Sequence, residues 1–280
     1  MVRFSLAAFV LIGVLAPAAE PGKPPKGVVR TAVIGGMTMT GLWPEISKRF
    51  EAETGYKIEV VATGQRPLLA KAFREGKADL LTMHSGDITT DLVGDGYGTN
   101  MRPWTRNDLA IVGPASDPAK IRGLKDGAEA LRRIAEAQAP YVDFAGIGSR
   151  EVCHSLWKRA GVAPKGKWVL TDESGGGHLD ILSFAAQRKA YVVVGRMPVL
   201  FEKLKGEGIE ILVDGDPAMR RPYIVMEADP KKFPEANTAG ARALSDFLLS
   251  EKVQKFLAEF GTDKPGGAPL FHPLEPPAAK

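Results

Sequence analysis

Three short stretches of this chain carry hydroxyls, glycines and one arginine at spacings suited to holding an anion. In Ala62-Thr63-Gly64-Gln65 a strand stops at a glycine turn and a helix begins. The Thr63 hydroxyl and the Gly64 and Gln65 N–H groups are then donors, and the helix aims its unpaired N–H groups and the positive end of its dipole the same way. An ordinary strand-to-helix turn capped by threonine would read identically. Gly35-Gly36, with Thr38 and Thr40 behind it, can grip an anion through backbone N–H groups as glycine-rich nests do, or simply form a turn before a helix. Gly148-Ser149-Arg150 offers a capping hydroxyl and a guanidinium whose planar fork matches a tetrahedral oxyanion. Its alternative is a capped helix with a solvated arginine.

Other polar residues carry weaker chemistry. His178 and Asp180 sit beside the triple glycine 175–177, but one His and one Asp fall short of a metal site. No metal and no cofactor is expected, and His178 is kept as a ligand contact. His84 and Asp87 follow a strand and face the expected cleft, where an anionic Asp87 would repel an oxyanion. Arg196 follows strand 191–194 and is a second candidate cation. Catalysis is not expected. Ser149 and His154 stand five apart on one predicted helix, off a common face, and no Gly-x-Ser-x-Gly, His-Glu-x-x-His or phosphate-loop pattern occurs.

The elements that position these residues alternate. Strand-like runs occur at 30–34, 57–62, 79–83, 109–112, 141–144, 168–171, 191–194, 209–213 and 223–227. Between them Leu42, Ile46 and Phe50 form one apolar stripe at helical spacing. Leu68, Leu69, Ala72 and Phe73 form a second, and Ala128, Leu131, Ile134 and Ala135 a third. Segment 238–260 is helical with a break near Ser250-Glu251, and Gly76, Gly161 and Gly261 stand where helices should end. This alternation predicts an α/β fold with largely parallel sheets. A sharp break at Gly113-Pro114 and a return near Asp214-Gly215-Asp216-Pro217 predict two lobes joined by two crossings. Ligands in such folds sit at the carboxyl ends of strands.

Residues 1–19 read as a secretory signal peptide, with Arg3, an apolar run too short to span a bilayer, and Ala16-Pro17-Ala18 as the cleavage site. Residues 20–29 are a flexible leader, 30–113 with 218–273 the first lobe, 114–217 the second, and 274–280 a tail. The only cysteine, Cys153, lies far from the apolar run, so no lipid anchor and no internal disulfide is expected. Cys153 is read as a small core residue. The formal charge of +4 falls to +3 without Arg3 and comes with no basic stripe, which argues against nucleic-acid binding. The expected product is a periplasmic monomer.

Taken together, the chain resembles the periplasmic solute-binding proteins of tungstate-type ABC importers, of the type II periplasmic binding fold, from about Thr31 to Pro273. The resemblance is carried by Phe50-Glu51 with Thr54-Gly55, Thr63-Gly64-Gln65, Ala78-Asp79-Leu80-Leu81 with His84, and Gly94-Asp95-Gly96-Tyr97-Gly98. It continues in Asn107-Asp108 through Pro118, Leu156-Trp157 with Ala160-Gly161, Ala190-Tyr191, Val213 through Ala218, Pro222-Tyr223 and Pro269-Leu270-Phe271. It implies capture of a small oxyanion, tungstate or molybdate, by a two-lobed receptor that closes on it and delivers it to a membrane permease. The family opens its first binding helix with consecutive Thr/Ser hydroxyls, where this chain has Val33-Ile34-Gly35-Gly36. It also carries an Arg-Gly-Asp run whose arginine position is Phe144 here. These departures keep open phosphate, sulfate or an organic carboxylate as ligand, or a signalling or partner-binding scaffold without transport.

Overall fold

The computed structural model describes residues 26–143, 150–171 and 180–274. The chain begins with β1 (Val28–Ile34), a run of Val, Ala and Ile buried over most of its length. It passes through the short helix α1 (Gly35–Met39) and α2 (Leu42–Thr54) to β2 (Lys57–Gly64), which lies parallel to β1 at the edge of the sheet. Leu42, Ile46 and Phe50 all face the core. Helix α3 (Arg66–Arg74) returns the chain to β3 (Leu80–His84), parallel to β1 on its other side. In α3 the predicted stripe turns in Leu69, Ala72 and Phe73 and leaves Leu68 exposed. Gly76 and Gly161 both take the left-handed conformation just past their helices, as predicted.

After α4 (Asp87–Gly94) comes β4 (Gly98–Pro114), a strand of 17 residues. The first part of β4, 98–108, pairs with β9 (Arg220–Ala228). From Leu109 onward it pairs with β7 (Val192–Gly195) and β8 (Ile209–Val213). The core divides at the same point. Trp104 belongs to an apolar cluster with β1, α2 and β3, whereas Leu109 and Ile111 belong to a second and Ala110 and Val112 to a third. Alternate residues of this buried strand serve its two faces.

The second and third clusters are completed by α5 (Gly127–Glu136), β5 (Tyr141–Val142), α6 (Arg150–Ala160), β6 (Val169–Leu170), α7 (Ile181–Gln187) and α8 (Arg196–Leu200). Cys153 is packed in the second cluster, where burial pushes its thiol up to about 12. A 3-10 turn, Pro217–Met219, leads into β9. Asp216 fixes that turn, accepting from Ala218 N and Gly127 N at 2.8 Å each. The chain ends with α9 (Thr238–Leu248) and α10 (Glu251–Glu259), separated at Ser250, which caps the second.

Two expectations change. Gly113 and Pro114 are the last residues of β4 and still pair with β8, so the strand ends at the predicted break but the passage into the second core lies before it. Gly113 serves packing, since a Cβ there would lie 2.4 Å from the Tyr191 ring. Pairing partners change earlier, between Asp108 and Leu109. The sheets are also mixed: among the described strands three pairings are parallel and four antiparallel. The reason is β4 and β9, which run between the two cores in opposite directions, so the strands paired to β4 oppose it. Among the described residues no helix is long and apolar enough to cross a membrane.

Candidate functional site

The ends of β1 and β2 meet with Ile34 beside Gly64. A Cβ on Gly35 would lie 3.5 Å from Gly64 Cα, a close backbone approach that glycine eases. This brings Thr38, on α1, to Thr63 at the end of β2, with their hydroxyl oxygens 3.0 Å apart. Thr38 also donates to the Gly35 carbonyl at 2.9 Å. One hydroxyl proton serves one acceptor, so Thr63 donates to Thr38 and is the donor that a bond rotation can redirect to a ligand. Thr40 is buried and turned back onto the Gly36 carbonyl. Gln65 stands at the N-cap of α3 without a side-chain capping bond, so no side chain competes for the first N–H groups there.

Next to these lies a cluster that joins His84, which the sequence placed at the cleft, to two arginines that it did not single out. Arg66, almost fully buried, donates to the Ser85 carbonyl at 3.0 Å. It crowds Gly86, where a Cβ would stand 2.6 Å from its Nη1 and 3.6 Å from Glu151 Oε1 of α6. His84 stacks on Tyr223 with ring centroids 4.0 Å apart, and its Nε2 meets Asn107 Oδ1 at 3.1 Å. Burial, then the charge of Arg221, then that of Arg66 hold the imidazole well below its ordinary 6.5, outweighing the bond to Asn107. His84 is therefore neutral and the positive charge here belongs to the arginines. Arg221 is the register partner of Asn107 on β9, and a Cβ on Gly195, at the end of β7, would lie 3.6 Å from its Nη2. A Cβ on Gly36 would lie 3.6 Å from the Tyr223 hydroxyl and 3.5 Å from Met197 Cε. Residues from both sides of the crossing strands thus converge where several strands end.

The other two candidate arginines among the described residues make different contacts. Arg196 is buried at the start of α8, its Nε 2.8 Å from Asp214 Oδ2, and it is committed to that ion pair. Arg150 is exposed at the start of α6 and lines a surface groove with Cys153, His154 and Trp157. Ser149, His178 and Phe144 lie outside the described residues.

Residues 31–263 match the family of bacterial extracellular solute-binding proteins. This chain belongs to that family. A curated relative of this solute-binding protein, the tungstate-binding protein TupA of Peptoclostridium acidaminophilum, is 32% identical over 89% of this chain and 86% of its own length. Among solved structures, the tungstate-binding protein TupA of Desulfovibrio alaskensis G20 aligns with a TM-score of 0.71 at 26% identity, covering 89% of this chain and all of that one. A tungstate ABC transporter structure from Geobacter sulfurreducens aligns with a TM-score of 0.68 at 29% identity, over 83% of this chain and 98% of that one. The solute-binding fold explains why the polar cluster sits at strand ends between two cores, since that is where such α/β folds leave a crevice.

Two signals in the sequence point to the missed arginines. Arg66 immediately follows Thr63-Gly64-Gln65, and Arg221 immediately precedes Pro222-Tyr223. Packing of α3 turns Arg66 inward onto Ser85, and the pairing of β9 with β4 sets Arg221 beside Asn107.

Proposed function

We propose that this solute-binding protein captures a small tetrahedral oxyanion of the tungstate or molybdate type outside the cytoplasm and passes it to an ABC permease. The observation that carries the reading is the convergence of Thr38 and Thr63 with Arg66, Arg221 and a neutral His84 at one set of strand ends. Hydroxyls, backbone N–H groups and guanidinium donors complement an ion that only accepts hydrogen bonds. A ligand bringing its own protons would leave donors facing donors, which is costly in a dry site. The backbone donors of Gly35, Gly36, Gly64 and Gln65 complete the set. Release and capture follow from bending at the two crossings, between Asp108 and Leu109 and between Met219 and Arg220. The tungstate-binding names of two relatives support the same ligand class.

A thermal-shift panel with tungstate, molybdate, sulfate, phosphate and small carboxylates tests this. A ligand at a thousandfold its dissociation constant stabilises the fold by about 4 kcal/mol. Tungstate and molybdate are expected to give that shift. A shift with another anion alone changes the ligand but keeps the receptor. No shift with any of them favours a scaffold without transport.

A further inference from the structure

Arg221 presents a charge that the described protein does not balance. Its Nε is shut off from solvent and has no hydrogen-bond acceptor. Its guanidinium makes no ion pair with any described carboxylate, and it feels the like charge of Arg66. Burial, with the Arg66 charge adding to it, pushes its pKa below the ordinary arginine value, partly offset by Tyr223. Neighbouring arginines are arranged differently. Arg220 meets Asp108 at 3.3 Å and Arg196 meets Asp214 at 2.8 Å, while Arg66 faces Glu151 and Asp87. The guanidinium is half-buried with its Nε shut off from solvent and remains protonated, so an anion that reaches its outer nitrogens recovers solvation the fold has removed. Gly195 leaves space at its tip, because any side chain there would begin 3.6 Å from Nη2.

We propose that Arg221 contacts the captured oxyanion directly and sets a preference for doubly charged tetrahedral anions over singly charged ones of the same shape. The inference rests on the oxyanion-capture reading above and assigns the charge to the crossing strand β9. Coulomb attraction grows with the product of the two charges, so Arg221 contributes about twice as much toward a dianion as toward a monoanion at equal distance. Hydroxyl and amide donors discriminate less by charge. The preference therefore depends on Arg221 more than on Thr38 or Thr63.

Tungstate and perrhenate are tetrahedral, nearly equal in size and differ by one charge. Calorimetric titration of the purified protein with each, for the wild type, Arg221→Gln and Arg221→Lys, provides the test. Arg221→Gln should weaken tungstate by about a hundredfold and perrhenate by about tenfold, narrowing the ratio between them, in line with loss of one partner of a buried charge pair. The unliganded Tm of Arg221→Gln should be unchanged or higher, because an unbalanced half-buried charge has been removed. Arg221→Lys should weaken both anions yet keep the wild-type ratio. Tungstate affinity within threefold of wild type in Arg221→Gln, or equal losses for both anions, would overturn the proposal. So would a failure of both variants to fold, which would make Arg221 structural. A wild type that binds neither anion removes the oxyanion reading itself, and this inference with it.

Discussion

The hydroxyls of Thr38 and Thr63 stand 3.0 Å apart at the ends of two parallel strands, although 25 residues separate them in sequence. Strand pairing alone makes them neighbours, since Ile34 and Gly64 are register partners. Thr63→Val keeps the branched shape and removes the redirectable donor. Because Thr63 is exposed, its hydrogen bond to Thr38 contributes about 0.5 kcal/mol or less to folding. Oxyanion affinity should fall about tenfold, or ~1.4 kcal/mol, in calorimetric titration while Tm barely moves.

His84 gives the fold a pH dependence of known sign. Its pKa lies well below 6.5 in the folded chain, and burial is the main cause. The unfolded chain binds the proton first, so this contribution is complete above about pH 6.5 and is lost as the pH falls toward the folded value. The slope approaches ~1.4 kcal/mol per pH unit for one proton. Urea denaturation at pH 7.5 and pH 5.0 should show a smaller loss of stability in His84→Gln than in the wild type. An equal loss would place the acid sensitivity elsewhere.

Asp108 ties together three segments at the point where β4 changes partners. Its carboxylate meets Arg220 Nε at 3.3 Å and His272 Nε2 at 2.8 Å. The segment carrying His272 is itself bound to β4, with reciprocal backbone bonds to Arg106 at 3.1 and 2.8 Å. Asp108→Asn keeps an acceptor but leaves Arg220 without its counter-charge in a mostly buried place. Destabilisation of about 2–3 kcal/mol is expected, read as a lower urea midpoint at unchanged slope. A change below ~0.5 kcal/mol would mean that backbone pairing alone holds the tail.

Much of the fold was legible because its signals are local. The stripe Leu42, Ile46, Phe50 became α2, and the Ser250 break became a cap between two helices. Thr63-Gly64-Gln65 marked a strand end and a helix start from residue types alone. The first part of β4 was not legible. Its residues include Asn100, Arg102, Pro103 and Arg106, and they are extended because β9 pairs with them. Arg196 looked like a cleft cation until the fold placed Asp214 2.8 Å away.

By itself, then, the sequence determined the alternation of strands and helices, the glycine turns and the hydroxyls near them, since these depend on periodicity and on backbone preferences within a few residues. Tertiary structure alone decided which charges are balanced. Arg66, Arg196, Arg220 and Arg221 are the same residue type, and only long-range packing gives Arg196 and Arg220 a carboxylate, places Arg66 before Glu151, and leaves Arg221 beside another cation. The energy of a buried charge depends on what lies within a few ångströms in space, and chain separation says nothing about that distance.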